Sequence, residues 1–279
     1  MDLEASLESL PPLREVISEH NLRAEKKLGQ NFLLDQNITD KIARTAGDLT
    51  GATVFEIGPG PGGLTRSLLR AGAAKVIAIE FDPRAVEALQ SLKEASGGRL
   101  EVLLQDALQT NLLDLADTGP RKIVANLPYN IATPLLIGWL KQIRADQHAY
   151  DSMTLMFQRE VGDRIVAPCG GKAYGRLAVM SQWLCQAKIV YDLPPQAFTP
   201  PPKVKSAVVH LTPKVPEENA PAFDKMEALV AAAFGQRRKM IRSSLKGYEA
   251  AVGAAGIDNT QRAETLQISD YIEIAQQHS

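Results

Sequence analysis

The sequence predicts an α/β protein: a doubly wound, seven-stranded sheet followed by a small helical C-terminal domain. Three observations carry this. Residues 53–65 (TVFEIGPGPGGLT) run as a short apolar strand, a glycine turn and a helix. Strand-like and helix-like stretches then alternate as far as Val166, the pattern of a doubly wound sheet. Beyond the proline-rich linker at 213–221 (PKVPEENAP) only helical spacing remains. The domains accordingly fall at 1–214 and 215–279.

Taken in order, residues 12–19 read as a short helix, with proline at its start and Leu13, Val16 and Ile17 on one face. Residues 26–34 have no period, and Asn31 there reads most simply as a loop residue bonding its own backbone. Asp35 can cap a helix carrying Ile38, Ile42 and Ala46. Val54, Phe55 and Ile57 make the first strand, and residues 64–70 resume as a helix after the glycines. Strands follow at 75–80, 100–105 and 122–125, with a helix beginning at Pro83 between the first two. A helix at 134–144, a strand at 152–157 and helices at 159–166 and 177–183 come next. Two last strands, 188–192 and 206–211, have no helix between them, so one runs antiparallel or is joined by a long loop. Helices at 223–234, 237–246, 261–265 and 268–276 complete the chain.

Composition bounds the function. A chain of 279 residues with 45% hydrophobic and 23% charged residues is an ordinary globular protein with room for one large α/β domain and an appendage. Its formal net charge of -1 excludes a uniformly basic protein, so any nucleic-acid site is a local patch. Cys169 and Cys185 are in neither metal nor redox spacing, and His20, His148, His210 and His278 are scattered, so no metal site is expected. The acidic start MDLEASLESL lacks a basic, then apolar, leader, and the longest apolar stretch, around 135–140, is too short to span a bilayer. A cytoplasmic protein without a membrane partner is expected, and nothing argues for more than a monomer.

In open α/β sheets, ligands bind beyond the carboxyl ends of the strands. Gly58, Glu80, Asp106 and Asn126 all fall at such ends, and four positions converging on one cleft is a stronger signal than any one acid as a helix cap. Gly58, Gly60 and Gly63 satisfy G-x-G-x-x-G, which leaves a dinucleotide open. Pro59 and Pro61, however, lack N–H groups and make the turn a poor cradle for a pyrophosphate. A ligand with adenosine but no phosphate suits it better, with Glu80 accepting from the ribose hydroxyls: S-adenosylmethionine.

Asn126-Leu127-Pro128-Tyr129 ends the fourth strand. Alone it could be a strand-ending turn. In this place it resembles the [N/D/S]-P-P-[Y/F] signature of enzymes that methylate amines. An adenine amine is a poor nucleophile because its lone pair is delocalised into the ring. The Asn126 oxygen and a main-chain carbonyl of Leu127 or Pro128 can accept its two N–H bonds and turn the lone pair towards a methyl donor, while Tyr129 stacks on the base.

With these motifs the chain resembles the small-subunit rRNA adenine dimethyltransferases of the KsgA/RsmA family, relatives of the Erm methylases. GQNFL (29–33), EIGPGPGGLT (56–65), IEFD (79–82), QDAL (105–108), NLPYNI (126–131) and FTPPPKVKSAVV (198–209) match in order. The resemblance implies a Rossmann-like class I methyltransferase sheet and transfer of methyl groups from S-adenosylmethionine to the N6 amines of two adjacent adenines near the 3′ end of 16S rRNA. It implies that Asn31 and Leu33 close over the methionine end of the cofactor, that Gly58 and Gly60 line it, that Glu80 holds the ribose and that Asp106 holds the adenine amine. It makes Phe198 a second aromatic against the target base, where the residues alone equally allow a core phenylalanine. Arg237, Arg238, Lys239, Arg242 and Lys246 read as one basic helix, by itself as well explained by a solvated face; the resemblance makes it an RNA-phosphate contact in a C-terminal RNA-binding domain. The rivals are an Erm-type enzyme acting on large-subunit rRNA, an assembly factor whose binding outweighs its catalysis, and a nicotinamide dehydrogenase. FGQRRKMIRSSLK (234–246) favours the small-subunit family over the first.

Overall fold

A computed structural model describes residues 3–22, 30–116, 119–215, 217, 219–236 and 238–278. The chain contacts itself as two compact units. One comprises Met1–Leu136, Ala149–Arg159 and Lys188–Thr212; the other comprises Ile137–His148, Glu160–Ala187 and Pro213–Ser279. The last segment of the second unit thus starts beside the 214/215 boundary read from the sequence, and two earlier segments join it.

The strands are β1 (Phe32–Leu33), β2 (Thr53–Ile57), β3 (Lys75–Glu80), β4 (Leu100–Leu104), β5 (Arg121–Ala125), β6 (Ser152–Gln158), β7 (Cys185–Leu193), β8 (Phe198–Thr199) and β9 (Ser206–Pro213). Seven of them form one sheet in the order β4-β3-β2-β5-β6-β9-β7. β2, β3, β4, β5 and β6 pair in parallel, and β9 runs antiparallel to β6. Strand order reverses between β2 and β5, so the switch point where ligands bind in such sheets lies beyond their carboxyl ends. β2 is flanked on both sides, which is why Val54, Phe55 and Ile57 are wholly buried, whereas β4 at the edge exposes Leu104. β1 and β8 were not legible from period and make a separate two-stranded antiparallel pair.

Local chemistry explains most helix boundaries. Asp35 caps Gln36–Thr45 by accepting from Asn37 N, and Asp82 caps Pro83–Ala88 by accepting from Arg84 N. Helix Gly63–Arg70 begins at Gly62, whose φ of 88° only glycine adopts cheaply, and buries Leu64, Leu68 and Leu69. Leu3–Glu8 is helical, which the sequence reading passed over. Tyr129–Ala145 starts five residues earlier than expected, with Pro134 inside it, where the missing N–H removes a single helical bond.

The expected basic helix over 237–246 is corrected. Helix Phe223–Gly235 ends at Gln236, Met240 bridges to Arg262, and among the described residues of this stretch only Ile241–Ser244 is helical. Ile241 N donates to the Gln261 carbonyl at 2.8 Å and Arg242 N to the Asn259 carbonyl at 3.0 Å. These bonds take the donors that a continuous helix would have turned back on its own chain.

Two glycines test this packing. A Cβ at Gly63 would lie 2.6 Å from the Leu33 carbonyl oxygen, whereas one at the exposed helical Gly253 meets nothing within 4 Å. Thermal unfolding should show Gly63→Ala destabilised by about 1–3 kcal/mol and Gly253→Ala stabilised by about 0.5–1 kcal/mol. Equal effects of the two would mean that Leu33 does not lie against the turn.

Candidate active site

The carboxyl ends of β2, β3 and β5 open on a cleft in the first unit. Gly58, Gly60, Glu80 and residues 126–129 line it, and the strap 30–33 forms its opposite wall. An adjoining hollow shares Gly58, Glu80 and Pro128 with it and continues past Phe81, Asp106 and Leu108. The two form one elongated cleft.

The strap is fixed by absent side chains as much as by bonds. A Cβ on Gly60 would fall 2.9 Å from the Phe32 ring, and Gly60 has a φ of 54°. Gln30 Nε2 donates to Asp82 Oδ2 at 3.2 Å, and Phe32 and Leu33 pair with Thr199 and Phe198. Pro128 packs over Gly58, its ring carbons 3.6 Å from where a Cβ would stand. The turn at 126–129 therefore rests on the glycine turn.

Three acids face the cleft in different states. Glu80 Oε1 accepts from Phe81 N and Asp82 N at 2.8 Å each, and Oε2 accepts from Gly60 N at 3.2 Å. Burial raises its pKa, opposed by those three bonds. With about three of its four lone-pair sites used, Oε2 is the acceptor it presents to a ligand. Asp106 Oδ1 accepts from Leu108 N at 2.9 Å, which holds the side chain at the far end of the cleft. Glu56, on β2, is 1% exposed, and its Oε2 has no hydrogen-bond partner among the described residues. Burial pushes its carboxyl up to about 8; the Thr65 hydroxyl, itself without a completed bond, tempers the rise, and the charge of Glu80 adds to it.

At the turn, Asn126 Nδ2 donates to the Asn31 carbonyl at 2.9 Å. The opposite amide orientation would set two acceptors against each other, so this bond leaves Oδ1 as the open acceptor. Tyr129 OH is 2.6 Å from Ser206 Oγ, which anchors the ring from β9. Pro128's carbonyl accepts from Ile131 N at 3.1 Å as the helix starts.

The structure thus brings Asn31, Leu33, Gly58, Gly60, Glu80, Asn126, Leu127, Pro128 and Tyr129 around one hollow and sets Asp106 in the adjoining one. Phe198 stands apart: it is 3% exposed in the core cluster that includes Leu33, Leu193 and Val208. Arg238, Lys239, Arg242 and Lys246 are exposed in the second unit, on a turn and one short helix instead of one helical face, and Arg237 and Gly29 lie outside the described residues. Sequence reasoning missed Glu56, Phe81, Leu108 and Gln30. Glu56 was read only as the first residue of the EIGPGPGGLT motif, with no role; its signal was a carboxylate between Phe55 and Ile57 in a buried strand. Phe81 is 64% exposed and Leu108 45%, and the two line the same hollow as an apolar patch beside Asp106. Among the described residues no metal-holding cluster is found, and no helix is long and apolar enough to cross a membrane.

Comparison with known proteins agrees in one direction. The model of the family described as ribosomal RNA adenine dimethylase matches residues 21–278. Proteins named ribosomal RNA small subunit methyltransferase A are 58% identical in Allorhizobium ampelinum (97% of this chain, 98% of that protein) and 55% in Ruegeria sp. (97% and 98%). Among solved structures, a dimethyladenosine transferase from Plasmodium falciparum is similar with a TM-score of 0.69 at 26% identity, covering 86% of this chain and 94% of that one. The 23S rRNA methyltransferase ErmE is similar with a TM-score of 0.67 at 26% identity, covering 89% and 99%.

The buried Glu56 makes stability depend on pH. Its carboxyl titrates near 8 in the folded protein and near the ordinary 4.5 when unfolded, so the folded state holds an extra proton between these values. That contribution is complete below 4.5 and is lost as pH rises through 8. The Tm of the ligand-free protein should fall between about pH 5 and pH 9 by the equivalent of a few kcal/mol, and Glu56→Gln should flatten the fall. A wild-type slope matching that of the variant would contradict it.

Proposed function

The chain belongs to the ribosomal RNA adenine dimethylase family and is an rRNA adenine dimethyltransferase; from that premise we propose that it methylates the N6 amines of two adjacent adenines near the 3′ end of 16S rRNA in an assembling small subunit. The names of its relatives favour the small subunit over the large one. The observation that carries the chemistry is the Asn126–Asn31 bond, because it aims an otherwise free amide oxygen.

The cleft's residues fit S-adenosylmethionine. Glu56 lines the hollow as a buried carboxyl whose pKa burial raises, an acid that a cationic ammonium would draw into its charged form. Exposed Phe81 and Leu108 beside Asp106 suit a flat base with an exocyclic amine. Asn31 and Leu33 would then close over the methionine end, with Gly58 lining it and Glu80 Oε2 on the ribose. A pyrophosphate fits badly: Pro59 and Pro61 offer no N–H, and Glu56 and Glu80 face the same hollow. When bound, S-adenosylmethionine supplies an electrophilic methyl group.

The chain's own residues hold the acceptor. Asn126 Oδ1 and the Leu127 carbonyl take the two N–H bonds of the target amine, Pro128's carbonyl being engaged with Ile131 N. Tyr129, its hydroxyl tied to Ser206, presents its ring to the base. Burial of Phe198 favours a supporting role behind Leu33. After one transfer the amine keeps a single N–H, so the second round needs only one of the two acceptors. No metal and no second subunit enter this scheme. Arg238, Lys239, Arg242 and Lys246, together with Arg237, are assigned to RNA phosphates, and a ribosomal substrate sets the reaction in the cytoplasm.

Transfer of labelled methyl groups to small subunits lacking the modification, followed by nucleoside digestion, tests this. Asn126→Ala should lower kcat/KM by on the order of a hundredfold or more, the usual loss for one preorganised polar group at a reacting centre. Tyr129→Ala should cost about 1–3 kcal/mol of stacking, and Tyr129→Phe clearly less. Dimethyladenosine formed equally by Asn126→Ala, or only in large-subunit rRNA, would defeat the reading; tight binding to subunits without transfer by the wild type would leave an assembly factor.

A further inference from the structure

The loop 200–205 (PPPKVK) is fastened at both ends to the walls of the cleft. At its start Thr199 pairs with Phe32 of the strap, and at its end Ser206 Oγ meets Tyr129 OH at 2.6 Å. Between them Arg159 N donates to the Lys205 carbonyl at 2.8 Å. Three successive prolines restrict the loop further, since each ring fixes its φ. The loop is therefore held by two backbone contacts and one side-chain bond, yet Lys203, Val204 and Lys205 are all exposed to solvent.

Charge gives this exposure a direction. Arg159, beside the loop, is ion-paired with Asp192, whereas Lys203 and Lys205 have no carboxylate partner among the described residues. The cleft whose walls the loop joins is lined by Glu80 and reaches Asp106. A polyanion approaching those carboxylates is repelled unless cations are supplied at the rim. Two unpaired lysines on a stiff loop supply them at low entropic cost, and Val204, 42% exposed, offers an apolar contact between them.

We propose that Lys203 and Lys205 are positioning residues that hold RNA phosphates next to the target adenine, a contact made by the catalytic unit itself and separate from the basic residues near the C-terminus. The inference rests on the rRNA reading above. It makes loop 200–205 a device that pins the strand at the base to be swung out, with Tyr129 and the phosphate clamp sharing one anchor at Ser206.

The test uses the full chain, S-adenosylmethionine and unmodified small subunits, with K203Q/K205Q compared with wild type across a salt series. The double variant should raise KM for subunits at least about fivefold with kcat within twofold, and flatten log(kcat/KM) against log[salt] by about 1.4, two single-strand phosphate contacts. Affinity for S-adenosylmethionine and Tm should not change, and K203R/K205R should restore KM and slope, because the charge is what acts. An unchanged KM and salt slope in an active preparation would overturn this inference alone. A KM rise that the arginine variant fails to rescue would overturn it too, as would lost cofactor affinity. Wild type unable to methylate small subunits would overturn the substrate reading as well.

Discussion

Much of the site depends on how closely residues 31–33 lie on the glycine turn. Side chains at Gly60 or Gly63 would collide with Phe32 or with the Leu33 carbonyl, so the strap can be a wall of the cleft only because those positions have none. From that one approach the rest follows. The strap brings the Asn31 carbonyl to Asn126 and so sets the direction of the acceptor oxygen. It also recruits β8, which delivers the following loop to Ser206 and Tyr129. Cofactor wall, catalytic turn and rim thus share one mechanical origin.

The site must satisfy two ligands of opposite character. Carboxylates buried beside the glycine turn suit a cationic donor, and each is kept there by a different device: Glu80 by three main-chain N–H groups, Glu56 by remaining largely protonated until something pairs with it. The negative charge of Glu80 opposes an RNA backbone. A net charge of -1 leaves no general attraction to compensate, so positive charge has to be placed locally. This explains how a protein without an excess of basic residues can still work on a polyanion.

The inner strands β2, β3, β6 and β9 were legible as apolar runs buried by their neighbours, while β4 and β7, at the two edges, are only partly buried. Gly58, Glu80 and Asn126 were legible because strand ends in such a sheet converge. β1 and β8 were not, since two residues carry no period and pair only through partners far along the chain. Residues 238–246 misled because Arg238, Arg242 and Lys246 have helical spacing, while the carbonyls of Asn259 and Gln261, invisible in the local sequence, take the helix's donors. Glu56 was hidden for the converse reason: its role comes from a burial that its flanks disguise as ordinary strand. Phe198 shows the limit, as its residues allowed core or stacking and its burial places it with the core.

The bond between Asn126 and Asn31 joins positions 95 residues apart and has a consequence for substitution at the turn. A carboxylate at 126 would set oxygen against the Asn31 carbonyl oxygen, although aspartate could serve a methylated amine equally well as an acceptor. Which residue the catalytic turn tolerates is therefore decided outside the turn, by a main-chain atom that no substitution can delete. Position 126 and the path of the strap are thus mechanically coupled: a change at the first removes the bond that ties it to the second.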